Sequence, residues 1–211
     1  MIDTISPLHS TQLSVAAFLK QSEPRRNSVL GAFCFSADTV EKQMQADTSV
    51  PCMHVVMQRL DAGDSVCEVW HGSGQLTQGQ SGAIHYRHDE DVLLGVIELP
   101  EAIFAADTDK TPLQQATESA YRQIFALLDM LRYPYLFRCW NYMADINTHS
   151  FGLERYRQFN LGRQDAFLAH GRDVQCPCRM CPGFWADWFG SWAADHINHC
   201  LFSRTRRLTQ H

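Results

Sequence analysis

Through the first half of the chain the apolar positions fall in short runs broken by turn residues, which is the pattern of strands. Residues 28–36 (SVLGAFCFS) predict a strand with one buried face. Residues 50–60 (VPCMHVVMQRL) and 65–71 (SVCEVWH) predict two more, separated by the turn residues Asp61, Ala62, Gly63 and Asp64. Residues 72–82 (GSGQLTQGQSG) are rich in Gly, Ser and Gln and predict a loop. Its glycines lack the following helix and the lysine of a phosphate-binding loop. Residues 83–99 hold two apolar stretches around the polar centre 85–91 (HYRHDED). They predict either a hairpin or one long bulged strand, ended by Pro100.

Beyond residue 110 the period changes from two to 3.6. Thr111 suits an N-cap, Pro112 the first helical position, and Gln114 completes a capping box. Leu113, Ala116, Ala120, Ile124, Leu127, Leu128 and Leu131 then recur at spacings of three and four, which makes one apolar stripe against a sheet. Pro134 stops this helix. Residues 135–143 (YLFRCWNYM) read as a mostly buried strand with Arg138 and Asn141 interleaved, and 145–150 as a turn. Residues 152–170 return to helical spacing, with Leu153, Tyr156, Phe159 or Asn160, Arg163 and Phe167 on adjacent turns. Strands, helix, strand, helix is the order of an α+β sheet with both helices on one face. Such a fold needs at least one more strand after His170, and no clean candidate follows.

The pattern divides the chain into a polar, loosely held lead-in (1–27), one domain (28–172) and an atypical tail (173–211). The tail holds four of the eight cysteines (Cys176, Cys178, Cys181, Cys200) and three of the five tryptophans (Trp185, Trp188, Trp192). Its alternation is poor, so it is expected to be irregular. Its composition is that of GC-rich coding DNA translated out of frame. A competing reading is a zinc site in which Cys176, Cys178 and Cys181 are joined by His196, His199 and Cys200, although the spacing is not that of a standard finger.

Net charge narrows the function classes. A formal charge of −5 argues against a nucleic-acid binder. No apolar run reaches the roughly 20 residues of a membrane span, and the N-terminus carries an early acid without the basic start of a signal peptide. A cytoplasmic protein with reduced thiols is the expectation.

The chemistry-bearing residues concentrate late in the domain. Arg132, Arg138, Arg155, Arg157 and Arg163 recur there, and a guanidinium fork matches a carboxylate bidentately. On the helix such arginines commonly pair with acids such as Glu154 and Asp165. Arg138 differs, because a charge within an apolar strand needs a partner or a ligand. Trp140, Asn141 and Tyr142 close that strand, where core packing and a cleft border are equally compatible with the sequence. His85, Tyr86, Arg87 and His88 predict a solvated hairpin face, with Tyr86 or Arg87 able to reach a ligand. No nucleophile motif and no acid pair stand out, and Cys139 reads as a small core residue. The residues alone predict anion binding without naming a reaction.

Two strings add a family. RYPYLFRCWNYMADIN (132–147) and GLERYRQFNLGRQDAF (152–167) resemble the chorismatases, which include chorismate hydrolases and 3-hydroxybenzoate synthases, some described as pteridine-dependent dioxygenase-like. IHYRHDEDVLLGVIEL (84–99) resembles them more weakly, and the likeness runs from about residue 25 to Arg172. The resemblance implies a RidA/YjgF-like mixed sheet with two helices on one face. It also implies cleavage of chorismate, without metal or organic cofactor, to pyruvate and 3-hydroxybenzoate, 4-hydroxybenzoate or a dihydroxycyclohexadiene carboxylate. It points to Tyr142 and Arg155, with Tyr86 less firmly, as carboxylate- and hydroxyl-holding positions beside Arg138 and Arg163. The family takes its proton-donating glutamate from a C-terminal half, and the tail here contains no Glu. The expectation is a truncated chorismatase-like chain with no catalytic residue of its own, inactive alone. Alternatives are a stand-alone RidA-like homo-oligomer that binds small carboxylates, and a zinc-stabilised interaction protein.

Overall fold

The computed structural model describes residues 8–22, 26–36, 50–56, 65–73, 75–105, 109–171 and, for the backbone alone, 196–204. It is an α+β protein of two compact units. One comprises Met1–Gln80 with His85–Val96, the other Ser81–Ile84 with Ile97–His211.

The first unit is built on a four-stranded sheet of β1 (His9–Ser14), β2 (Val29–Ser36), β3 (Cys52–Val56) and β4 (Val66–His71), in the order β1-β4-β2-β3. β3 and β4 do not pair with each other. β3 runs parallel to β2 on one side, and β4 antiparallel to it on the other. The lead-in is better ordered than its polarity suggests. β1 pairs with β4 along its whole length, and Ser14 caps the short helix α1 (Val15–Leu19) by accepting from the Ala17 N–H. Val15 and Phe18 then pack with Val29, Ala32, Val50 and Val69. Two apolar residues three apart suffice to dock one helical turn, and that signal is too short to stand out from the polar positions around it.

Cys34 and Cys67 are bonded as a disulfide across β2 and β4, against the expectation of reduced thiols. They are direct register partners with Cα atoms 4.2 Å apart, and a sequence separation of 33 gave no hint of it.

The Gly-rich stretch expected as a loop contains strand β5 (Thr77–Ser81). It turns into β6 (Ile84–His88), which continues into β7 (Val92–Pro100). The hairpin alternative is therefore the one adopted. Buried Asp89 fixes its turn, since Oδ1 accepts from the N–H groups of Asp91 (2.9 Å) and Val92 (2.8 Å). Nor is β6 a solvated face. Arg87 is buried and donates to the Arg26 and Val29 carbonyls at 2.9 and 2.8 Å, and burial lowers its pKa from the usual guanidinium value.

In the second unit the end of β7 leads through a 3-10 turn (Glu101–Ile103) to helix α2 (Pro112–Met130). The apolar stripe is buried from Leu113 to Leu128, joined by Thr117, Tyr121 and Phe125, while Leu131 caps the helix half-buried. Thr111 Oγ1 accepts from the Gln114 N–H at 3.2 Å, but the Gln114 side chain donates to Asp165 Oδ2 instead of closing the capping box. α2 ends before Pro134, where Arg132 adopts φ 60° and the Tyr133 N–H returns to the Leu128 carbonyl. Strand β8 (Tyr135–Met143) follows, then a turn, the two-residue ladder of β9 (His149–Ser150) and β10 (Leu153–Glu154), and helix α3 (Arg155–Ala169).

The missing strand is supplied by the segment in which none was legible. β11 (His196–Arg204) lies between β7 and β8, antiparallel to β8. The expectation of a wholly irregular tail is corrected to this extent. HINHCLFSR puts polar residues at alternate and adjacent positions, so no period of two shows, while the register with β8 still pairs the backbone from Ile197 to Arg204.

α3 packs on α2 and buries Gln158, Phe159, Gly162 and Ala166, a face rotated from the expected one. Gly162 sets the approach, because a Cβ there would overlap the Gln114 carbonyl oxygen and crowd Thr117 Cβ at 2.9 Å. Phe167 lies edge-on to Phe125, with centroids 4.9 Å apart.

Candidate functional site

Strand β8 has two different faces. Tyr121 of α2 donates its hydroxyl to Asn141 Oδ1 at 3.1 Å, and the Cys139 thiol lies 3.6 Å from the same oxygen. Cys139 and Asn141 therefore face the helices. Burial, with Cys139 beside it, pushes the Tyr121 phenol well up, so it stays neutral and donating. Alternation then puts Arg138, Trp140 and Tyr142 on the opposite face. The Arg138 guanidinium lies over the Trp140 ring at 4.8 Å, a cation–π arrangement. β8 is the outer strand beside β11, and Phe137 is 44% exposed with Arg138 exposed next to it. It is thus more open than a mostly buried strand. The register shifts opposite Phe202 and Ser203, a bulge at which Phe137 turns outward.

At the other end of β8 the chain turns through Asp145 (φ 50°), whose carbonyl accepts from the Thr148 N–H at 2.8 Å. Arg155 begins α3 and closes this turn. Its Nε donates to the Ala144 carbonyl at 3.1 Å, and its two terminal nitrogens grip both carboxylate oxygens of Glu101. Both side chains are only 12–13% exposed. Glu101 drew no notice in the sequence, since nothing local links the residue after Pro100 to one 54 positions later. Gln158 steadies the neighbouring turn by donating to the Ser150 and Leu153 carbonyls at 2.8 Å, where Phe151 and Gly152 hold positive φ.

The five residues singled out in the sequence fall into three places. Arg138 and Tyr142 share the open face of β8, four residues and so about 13 Å apart along the strand. Arg155 and Arg163 lie on α3, about 12 Å apart along its axis. Arg163 donates to Asn160 Oδ1 at 3.0 Å and lies 5.4 Å over the Phe159 ring. Tyr86 belongs to the first unit, on β6, where its ring tilts toward His88 and its hydroxyl end covers Gly79. None of the five lines either of two hollows among the described residues. One, of about 350 Å³, is bordered by Leu153, Arg157, Asn160, Leu161 and Gln164. The other, of about 600 Å³, is bordered by Phe104, Lys110, Glu118 and Arg122 among others.

For a metal, the described residues offer no cluster of three or more His, Cys, Asp or Glu side chains. Cys176, Cys178 and Cys181 of the zinc reading lie outside the described residues, and His196, His199 and Cys200 are described only as backbone positions of β11. Among the described residues no helix is long and apolar enough to cross a membrane.

Known proteins match this chain in sequence and in fold. The family model "Chorismatase FkbO/Hyg5-like, N-terminal" matches residues 68–181, more than half of the chain, and the chain belongs to this family. The match reaches Cys181, beyond the limit at Arg172 expected from the motifs, and begins later than residue 25. A chorismatase of Streptomyces rapamycinicus is 38% identical over 112 residues, which is 52% of this chain and 31% of that protein. A chorismatase of Streptomyces hygroscopicus is 35% identical, covering 52% and 30%. A 3-hydroxybenzoate synthase of the same organism is 33% identical, covering 47% and 27%. The chain thus spans under a third of the length of these relatives. A chorismatase crystal structure superimposes with a TM-score of 0.69 at 20% identity, over 97% of this chain and 56% of the other. The fold is therefore the RidA-like α+β fold of the chorismatases.

Proposed function

We propose that this chain is the carboxylate-binding part of a chorismate-cleaving protein. The observation that carries the reading is the Arg155 fork. It holds a carboxylate in bidentate geometry, nearly out of water, at the head of the GLERYRQFN helix. Such a pair is short, directional and strong. In this reading Glu101 occupies the fork until a carboxylate of chorismate displaces it. Tyr142 and Arg138 offer a hydroxyl and a second cation on the open face of β8. Arg163 offers a further cation on α3.

Cleavage of chorismate to pyruvate and a hydroxybenzoate needs a proton delivered to the enolpyruvyl group, from an acid held in a shielded place. The family draws that glutamate from a C-terminal half, and the residues after Arg172 contain no Glu. These 211 residues then supply binding and orientation but not the proton. The site of action is the cytoplasm, and the chemistry calls on no metal or organic cofactor. The test is to titrate the chain with chorismate by calorimetry while following pyruvate release. Binding without pyruvate, weakened at least tenfold in Arg155→Gln, supports the proposal. Absence of binding, or equal binding by the variant, refutes it.

A further inference from the structure

The first unit carries a third cysteine that the disulfide leaves over. Cys52 of β3 is not disulfide-bonded, and its Sγ lies 3.5 Å from Cys34 Sγ. The strand order explains why the three sulfurs meet. β2 lies between β4 and β3, so Cys34 has Cys67 as its register partner on one side, while Cys52, paired in register with Ala32, approaches it diagonally from the other. Cys52 and Cys67 are separated by a whole strand, about 9–10 Å between backbones, beyond the reach of a disulfide.

We propose that Cys34, Cys52 and Cys67 form a redox-sensitive exchange site in which Cys34 is the shared sulfur and can bond to either neighbour. Oxidation by a small disulfide, such as glutathione disulfide, takes two electrons and two protons from two protein thiols and releases two glutathione thiols. Exchange then needs no further oxidant. Cys52 gives its proton to solvent, its thiolate attacks Cys34 Sγ, and the Cys34–Cys67 bond breaks. The electron pair stays on Cys67, which takes up a proton. The first state clamps β2 to β4, the second β2 to β3.

Two features set the balance. The Cys34–Cys67 bond joins direct register partners and closes a loop of 33 residues, against 18 for Cys34–Cys52, so it restricts the unfolded chain more. Burial pushes the Cys52 thiol up to about 12, which keeps the attacking thiolate scarce at neutral pH and makes exchange slow.

The experiment is disulfide mapping by mass spectrometry after acid quench and alkylation of the folded protein, oxidised in a glutathione disulfide buffer. Wild type should give the Cys34–Cys67 peptide with Cys52 alkylated, Cys67→Ser the Cys34–Cys52 peptide, and Cys34→Ser neither. A folded Cys67→Ser with Cys34 and Cys52 both alkylated overturns the proposal, as does a Cys52–Cys67 peptide in Cys34→Ser. Should Cys67→Ser not fold, wild type is held at pH 9.5 without added thiol. A Cys34–Cys52 peptide growing at least tenfold faster than at pH 7.5 supports the site, and its absence overturns it.

Discussion

Arg155 and Glu101 form a two-pronged ion pair that ties the first residue of α3 to the turn before α2, and the same guanidinium holds the Ala144 carbonyl at 3.1 Å. One side chain thereby fixes the end of β8, the start of α3 and the exit of β7. Neutralising one partner leaves the other charge poorly solvated. Glu101→Gln and Arg155→Gln are each expected to cost about 2–4 kcal/mol. The double variant should cost clearly less than their sum. Urea unfolding of the four proteins measures this coupling.

Gly162 is required by the crossing of α2 and α3, since the obstacle a Cβ meets is the backbone oxygen of Gln114, which no rotamer change can move. Gly162→Ala adds helix propensity and would stabilise an isolated α3. In the protein it should destabilise by about 1–3 kcal/mol through overpacking. Thermal unfolding gives the sign directly.

Arg132 takes the left-handed conformation that ends α2, a place glycine fills without steric conflict. Arg132→Gly should stabilise by about 1 kcal/mol, seen as a rise in Tm. Unchanged or lowered Tm would show the arginine side chain to be needed at the helix end.

The acid limb of stability should depend on Lys110. It bonds Glu118 and, at 2.9 Å, Asp165, joining α2 to α3. Hydrogen bonding by Lys110 holds Asp165 below its ordinary 3.8. Burial alone would raise Glu118 above 4.5, but the bonds from Lys110 and Arg122 outweigh it and lower it. A carboxylate with a depressed folded pKa contributes stability above its unfolded pKa and loses it as pH falls through the folded value. Lys110, raised above 10.5 by the same partners, contributes below that pH and loses it only as pH rises further. Lys110→Met should therefore lower stability at pH 7 by under about 1 kcal/mol, the groups being partly exposed. It should also flatten the fall between about pH 5 and 3. Equal acid limbs in the two proteins would contradict this.

The sequence made α2 legible through its full apolar period and the stop at Pro134, and β8 and α3 legible as elements, though not the face that α3 buries; residues 83–99 fit a hairpin and a bulged strand equally. What it hid depends on contacts between distant residues. β1 and α1 are recognisable only through their pairing with β4, and β11 only through β8. Cys34 meets Cys67 because β2 and β4 are neighbours, and Glu101 meets Arg155 because the β7 exit lies beside the head of α3. Gly162 passed as one more helix position until α2 lay against it. At the candidate site, the arginines were visible as residue types. So was the division of Arg138 to the strand and of Arg155 and Arg163 to the helix, but the face of the strand that Arg138 takes was not, because it follows from the face on which Asn141 meets Tyr121.

In the proposed function the Arg155 fork is a carboxylate site for which Glu101 stands in. Chorismate titration of folded Glu101→Gln tests it most directly. Removing the resident carboxylate should tighten binding about tenfold, since the ligand no longer competes with an internal partner, while Arg155→Gln loses binding. Unchanged or weaker binding by Glu101→Gln would contradict the account and make the pair a structural clasp alone.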